Sequence, residues 1–367
     1  MRKLGLCLLV SLGGLTVPLH AQKFNQRLTV VAYYDGNSQS IDAYPVEKLT
    51  HILFSFCHLK GNKLWVQNKQ DSLTIEHLVS LKKRNPSLKI LLSMGGWGGC
   101  GPCSLVFSTE KGRREFAESV LGLSRYFKTD GIDLDWEYPV IEGFPGHRYA
   151  PEDKADFTSL IQDLRKALGS RYEISFAAGG FTTYLEQSID WKKVIPLVDR
   201  VNLMTYDLVN GYTKVSGHHT PLYSTPGQIE SADHAVHILD SLGVPLNKLT
   251  IGAAFYARAY EIFHPTGDGL YERGKYSFGI SYKNLRIDSL KKAGFEYRWD
   301  KIAEAPFLYS APKKLLISFD DQRSVTLKMQ YVIQKGLNGI MFWQLGDDLT
   351  RKGLLDAIYM AKTGENK

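Results

Sequence analysis

Asp133, Asp135 and Glu137 stand two residues apart in the segment Asp130-Gly131-Ile132-Asp133-Leu134-Asp135-Trp136-Glu137-Tyr138-Pro139. Side chains alternate across an extended strand, so the three carboxylates share one face, and Ile132, Leu134 and Trp136 share the other. An apolar face of this size needs burial, which turns the acids toward an interior. Buried carboxylates are costly unless they are paired, hydrogen-bonded or partly neutralised. Closely spaced acids also resist simultaneous ionisation, so at least one proton is expected to be shared. That is how a protein keeps a carboxylic acid protonated near neutral pH, as general-acid catalysis requires. A solvated edge strand would leave Trp136 exposed, and a calcium-binding EF-hand loop would carry its glycine after the first acids rather than before them. Acid–base chemistry is therefore the reading, with no metal and no cofactor expected.

Other reactive residues carry weaker signals. Cys100-Gly101-Pro102-Cys103 has the spacing of a redox motif but follows Gly98-Gly99 in a loop, where a stapling disulfide or two free thiols fit better. One CxxC supplies only two metal ligands. His234 and His237 lie three apart on an expected helix, and His218-His219 fall in a polar loop; surface or packing roles suit both pairs.

The acids need a frame. Short apolar runs rich in β-branched and aromatic residues recur at 28–34, 51–56, 89–94, 131–135, 172–178, 200–206, 249–256 and 338–343, and read as strands buried on both faces. Amphipathic helices are predicted between several of them. One spans 113–127, with Phe116, Val120, Leu123 and Phe127 on one side; another spans 152–168 and is closed by Gly169. Thr225-Pro226-Gly227-Gln228 reads as a helix start with an N-cap, a first-turn proline and a capping-box glutamine. Eight strands alternating with helices predict a closed (β/α)8 TIM barrel of the α/β class. The interval after the seventh strand is too long for a loop. It contains an expected helix at 285–293 and a strand at 314–319, and is read as a small α+β insertion, residues 259–319, in the seventh strand-to-helix loop on the catalytic face.

Residues 1–21 are set apart from this frame. Met1-Arg2-Lys3 is a short positive region, the apolar run that follows is shorter than the about 20 residues needed to span a bilayer, and Ala21 precedes a plausible cut at Gln22. This predicts a signal peptide and an exported protein, secreted or periplasmic, whose barrel occupies 22–367. With 44% hydrophobic and 23% charged residues the 367-residue chain can bury a sizeable core, which excludes disordered and collagen-like classes. Its formal charge of +7 is spread without a basic block, so no nucleic-acid partner is expected. No further apolar stretch is long enough for stable membrane insertion, and a monomer is expected. Aromatic residues are abundant, at 12% of the chain.

The segment from Asp130 to Glu137 resembles the DGxDxDxE signature of family 18 glycoside hydrolases, the chitinase family, and Tyr138-Pro139 extends the likeness. Ser93-Met94-Gly95-Gly96-Trp97 is similar to the SxGG motif of that family. Asn202-Leu203-Met204-Thr205-Tyr206-Asp207 is similar to its MxYD motif, and Phe342-Trp343 to its cleft-floor tryptophan. The insertion after strand seven is shared with one large chitinase subgroup.

The resemblance implies retaining hydrolysis of β-1,4-linked N-acetylglucosamine with no enzymic nucleophile, an exception to the usual two-carboxylate scheme. Glu137 would protonate the glycosidic oxygen and later activate water. The 2-acetamido oxygen of the substrate would attack C1 to give an oxazolinium ion, oriented by Asp135. Asp133 would pair with Asp135 and manage the shared proton. Tyr206 would donate to the acetamido oxygen, and Asp207 would help to position the distorted sugar. Trp343 would stack under that sugar and Trp97 under its neighbour, unless the 98–103 loop tilts Trp97 away. Arg258 lies where the family often has a cleft arginine. Gly96 and Tyr138 join the substrate-binding group through their motifs. Tyr33, Phe56, Met204 and Tyr256 are candidate wall residues that core packing would explain equally well. The partner implied is an oligo- or polysaccharide containing N-acetylglucosamine. An endo-β-N-acetylglucosaminidase acting on N-glycans would use the same chemistry. A non-catalytic chitin lectin would share the fold but typically lacks the acid that Glu137 supplies. A phosphate-handling barrel enzyme would want a Gly-rich loop near strands seven and eight, and none is evident.

Overall fold

A computed structural model of the chain describes residues 28–365. The expected leader lies outside the described residues. In chain order the elements are β1 (Thr29–Tyr34), β2 (His51–Lys60), β3 (Lys63–Trp65), α1 (Lys69–Ser80), β4 (Lys89–Gly95), α2 (Cys103–Phe107), α3 (Glu110–Phe127), β5 (Gly131–Asp135), α4 (Asp153–Leu168), β6 (Glu173–Gly179), α5 (Thr182–Gln187), α6 (Trp191–Val194) and β7 (Arg200–Met204). There follow α7 (Ala232–Ser241), β8 (Leu249–Ala254), β9 (Tyr256–Ile262), β10 (Gly274–Ser281), α8 (Ile287–Lys292), β11 (Glu296–Asp300), β12 (Ala305–Ser310), β13 (Leu315–Ser318), α9 (Gln322–Lys335), β14 (Gly339–Trp343) and α10 (Leu354–Thr363).

β1, β2, β4, β5, β6, β7, β8 and β14 pair in parallel, and the pairings of β1 with both β14 and β2 close them into a barrel. The expected (β/α)8 fold is the fold observed. Outward-facing residues such as Ile132, Leu134, Ile174, Phe176, Val201 and Leu203 pack under the helices in one continuous core. Inward-facing residues alternate with them, and a smaller cluster of Val31, Tyr33, Leu53, Leu91, Ala177, Met204, Tyr206, Ala254, Tyr256 and Met341 fills the upper barrel. Four of the helices start where polar side chains satisfy their free N–H groups. Asn68, Thr109 and Ser231 cap α1, α3 and α7, and Asp321 and Ser324 form a reciprocal capping box on α9.

Two sequence expectations are corrected. Thr225 to Gln228 is a turn closed by mutual backbone bonds, not a helix start. The Gln228 side chain is captured by the His218 backbone, accepting from its N–H at 3.0 Å and donating to its carbonyl at 2.7 Å, and α7 begins later, behind Ser231. The run 249–256 is two strands divided at Phe255, whose ring stacks on Phe342 at 4.0 Å. The chain therefore leaves the barrel one residue after β8 and enters a second, antiparallel sheet of order β10-β9-β13-β12-β11. The faces of that sheet alternate as the pleat demands. Tyr260, Ile262, Phe307, Tyr309 and Leu316 form one small core, and Ala257, Ala259, Leu308 and Ile317 join Leu285 and Phe295 in another. By starting at the barrel rim, β9 sets Tyr256 and Arg258 beside the ends of β7 and β8.

Candidate active site

β5 carries Asp133 and Asp135 into the barrel while Trp136 packs outward against Phe107 and Phe157. In-register pairing puts Ser93 of β4 and Ser175 of β6 on either side of Asp133. The backbone of the SxGG segment is equally constrained. Gly95 has φ +114° and a Cβ there would sit 2.1 Å from the Asp135 carbonyl; Gly96, at φ +80°, would strike the Phe56 ring at 2.5 Å. The Gly96 N–H donates to the Asp135 carbonyl at 2.8 Å, which ties β4 to the acid-bearing strand.

The three acids meet different environments. Asp133 is fully buried and accepts four hydrogen bonds: from Tyr33 (3.0 Å) and Ser93 (2.9 Å) at Oδ2, and from Ser175 (2.6 Å) and Asn202 (3.0 Å) at Oδ1. Asp135 is buried and its Oδ1 has no hydrogen-bond partner. Burial, then the charges of Glu137 and Asp133, hold its carboxyl well above the usual range. Glu137, 9% exposed, lies at the mouth of the barrel. Burial, partly offset by the neighbouring Tyr138 and reinforced by the charge of Asp207, pushes its carboxyl up to about 7. An acid whose carboxyl is raised to about 7 is thus held at the opening, with a second raised acid deeper on the same strand face.

Tyr206 follows β7, is nearly buried, and its hydroxyl has the Met341 thioether sulfur at 3.8 Å as its acceptor, a weak one. Asp207, in the left-handed region at φ 54°, is gripped by Arg258 through two bonds, Nε to Oδ1 at 2.8 Å and Nη2 to Oδ2 at 2.7 Å. Despite burial, that guanidinium and His219 hold the Asp207 carboxyl well below the usual carboxylate range. His218 and His219, expected in a polar loop, are both fully buried. His218 pairs with Asp300 at 3.1 Å, and His219 Nδ1 lies 3.6 Å from Asp207. Both are packing residues that the second sheet encloses.

Trp343 ends β14 and stacks on Phe56 with ring centroids 5.5 Å apart and planes 12° apart; the Tyr33 ring is 5.9 Å away and tilted. Trp97 is 47% exposed and is flanked by Phe144, Tyr138 and Tyr212 at 5.7, 6.3 and 6.2 Å. The loop beyond it is closed by a Cys100–Cys103 disulfide, while Cys57 is a buried free thiol. Met204 and Tyr256 are buried in the inner barrel cluster with Tyr206, and Tyr33 is 1% exposed with its hydroxyl committed to Asp133. The core-packing alternative describes Tyr33, whereas Phe56 is half-buried against Trp343. Residues that the sequence reading passed over are Ser175, Met341, Phe144 and Tyr212. Ser175 had a legible signal, a hydroxyl among apolar residues on the inward register of its strand; Met341 lies on β14 and reads as ordinary core, and the other two depend on loop paths.

The family model "Glycosyl hydrolases family 18" matches residues 29–348. The chain is similar to chitinase A1 of Niallia circulans, 35% identical over 75% of this chain and 42% of the relative. It is also similar to chitotriosidase-1 of Mus musculus, 32% identical over 82% of this chain and 67% of that one. It thus spans between about two fifths and two thirds of these relatives' length. Among solved structures, a family 18 N-acetylglucosaminidase from Paenibacillus barengoltzii superposes with a TM-score of 0.83 at 35% identity, over 91% of this chain and 99% of that one.

Proposed function

The chain belongs to glycosyl hydrolase family 18, and from that premise we propose that it is an exported, retaining, chitinase-like hydrolase of β-1,4-linked N-acetylglucosamine in chitin or chitooligosaccharides. The observation that carries this reading is the pairing of a protonated Glu137 with a buried, partnerless Asp135 oxygen under the same opening. Glu137 delivers its proton to the glycosidic oxygen as the bond to C1 breaks. The substrate's acetamido oxygen closes on C1 from the other side, and Glu137, now a carboxylate, removes a proton from the water that reopens the oxazolinium ion. Asp135 takes the acetamido N–H and stabilises the positive charge that develops there. The Tyr206 hydroxyl, spending its proton only on a thioether, exchanges that weak bond for the acetamido oxygen. Asp207 is engaged by Arg258, which leaves the substrate's own carbonyl as the nucleophile this arrangement favours. Trp343 forms the floor and Trp97 a platform for the neighbouring sugar, because pyranose C–H faces suit aromatic rings.

Similarity along nearly the whole length of the Paenibacillus N-acetylglucosaminidase favours oligosaccharides of N-acetylglucosamine as substrate. The disulfide is consistent with export to an oxidising compartment. Product profiles on chitooligosaccharides, run beside a high-mannose glycoprotein and with a thiazoline analogue of the oxazolinium ion, test the proposal. Chitooligosaccharide cleavage that the thiazoline inhibits is expected. Cleavage of the glycoprotein alone would reassign the substrate, and indifference to the thiazoline would point to an enzymic nucleophile.

A further inference from the structure

Beneath the carboxylates the barrel contains a second polar cluster. Arg200, 3% exposed at the start of β7, has Nη1 3.2 Å from His51 Nε2 and 3.6 Å from Glu173 Oε2, and Lys89 also reaches Glu173. Arg200 Nε donates to Asn202 Oδ1 at 3.1 Å, and Thr250 Oγ1 donates to the same oxygen at 3.0 Å. The other end of that amide, Asn202 Nδ2, donates to Asp133. A guanidinium offers donors and no acceptor, so an asparagine between it and a carboxylate has one satisfactory orientation: oxygen toward arginine, NH2 toward the acid.

We propose that Arg200 is a positioning residue for the hydrolysis: through the Asn202 amide it holds Asp133 as a carboxylate, and so confines the proton of the inward acids to Asp135 and Glu137. This replaces the simple pairing of Asp133 with Asp135 that the sequence motif suggests. Each Asp133 oxygen already accepts two hydrogen bonds, and one of the four donors, the Asn202 NH2, cannot accept a proton in return. The same amide nitrogen also faces the Tyr33 oxygen, at 3.4 Å, so it ties together the phenol and the carboxylate. Asp135, by contrast, has a free buried oxygen.

The surrounding charges agree. Asp133 faces Tyr33 from β1, Asp135 from its own strand, Arg200 from β7 and Tyr206 just after it; its other neighbours, Ser93, Ser175 and Asn202, are neutral. Burial leaves its carboxyl raised above the usual range, and the hydroxyl donors and then Arg200 limit that rise. Asp135 faces Glu137 and Asp133, with the phenols of Tyr138, Tyr184 and Tyr206 around it. Arg200 faces Glu173 and His51, and burial followed by Arg200 itself pushes His51 down to about 4, so that His51 is neutral. The cation therefore acts on the acids through Asp133.

The inference rests on the proposed roles of Glu137 and Asp135, and two measurements separate it from them. Arg200→Gln frees the Asn202 amide to turn, lets Asp133 take up a proton and removes its charge from beside Asp135. The acid limb of kcat/KM on an aryl chitobioside should then move to lower pH by about one unit, the scale of one close charge. The kcat should fall several-fold with KM little changed, and Arg200→Lys, which keeps a donor-only cation, should restore the limb. An unmoved limb in folded Arg200→Gln, or a shift that lysine leaves in place, overturns the proposal. Neutron diffraction from deuterated wild-type crystals in weakly acidic buffer needs neither a variant nor turnover. It should show the Asn202 amide deuterons toward Asp133 and none bound to Asp133; a deuteron on either Asp133 oxygen overturns the proposal.

Discussion

Glu137 meets two demands on a general acid through its position alone. It sits two residues beyond the end of β5, far enough into the barrel mouth to lose solvent and raise its carboxyl to about 7, yet at the opening where a substrate can reach it. A raised carboxyl is protonated below its new value and loses its proton above it, so activity should fall as pH rises through about 7. A pH profile of kcat/KM on an aryl chitobioside checks the sign; a basic limb several units higher would move the acid elsewhere. Glu137→Gln keeps the shape and removes the transferable proton, so turnover should drop by about 10²–10⁴-fold, the range for general acid–base catalysis. Binding of oligosaccharide, measured by calorimetry, should hold within a few-fold, and near-normal turnover would end the assignment.

Whole elements, rather than single residues, place the aromatic rings. The disulfide closes the turn into α2 immediately beyond Trp97, whose own ring contacts come from Phe144, Tyr138 and Tyr212 on other loops. Replacing Cys100 and Cys103 together by Ser should loosen that loop. The KM for tetrameric or longer chitooligosaccharides should rise several-fold while kcat on a short aryl glycoside stays within about twofold, because uniform binding is lost and chemistry is not. Equal losses on both substrates would show that the loop supports the acids instead. What was legible in the sequence follows the same division. The inward direction of Asp133 and Asp135 could be read from their alternation with Ile132, Leu134 and Trp136 along one strand, because only the apolar side can pack beneath helices. The Phe255 break could not, since Leu249 to Tyr256 is one uninterrupted apolar run whose split depends on Phe255 stacking on Phe342. The turn at Thr225 misled for a related reason: its residues satisfy a local helix-start pattern, and a distant partner, the His218 backbone, decides where Gln228 goes. His219 carried no local sign of burial at all, because the second sheet that encloses it lies far along the chain.

Barrel and second sheet function as one molecule because a buried ionic joint fastens them where the chain crosses between the two. Lys328 of α9 and Asp320, just after β13, are within 2.6 Å and almost wholly removed from solvent. Asp320 also accepts from the Ala254 N–H at the end of β8, from Thr220 in the loop after β7 and from Ser324 at the head of α9. The joint thus gathers the end of the second sheet, a barrel strand and the loop that carries His219 beside Asp207. Its energetics should show the asymmetry of buried pairs, in which losing one partner is costlier than losing both. Lys328→Met leaves a carboxylate in the interior without its cation and should cost about 3–5 kcal/mol. Asp320→Asn should cost less, because burial already lowers the Lys328 ammonium and favours its neutral form. The combined Lys328→Met and Asp320→Asn variant should be more stable than Lys328→Met alone, since no unpaired charge remains. Urea unfolding of the three variants measures this directly. If the double variant loses as much as the two single losses added together, the residues do not act as a pair, and the joint is packing rather than electrostatics.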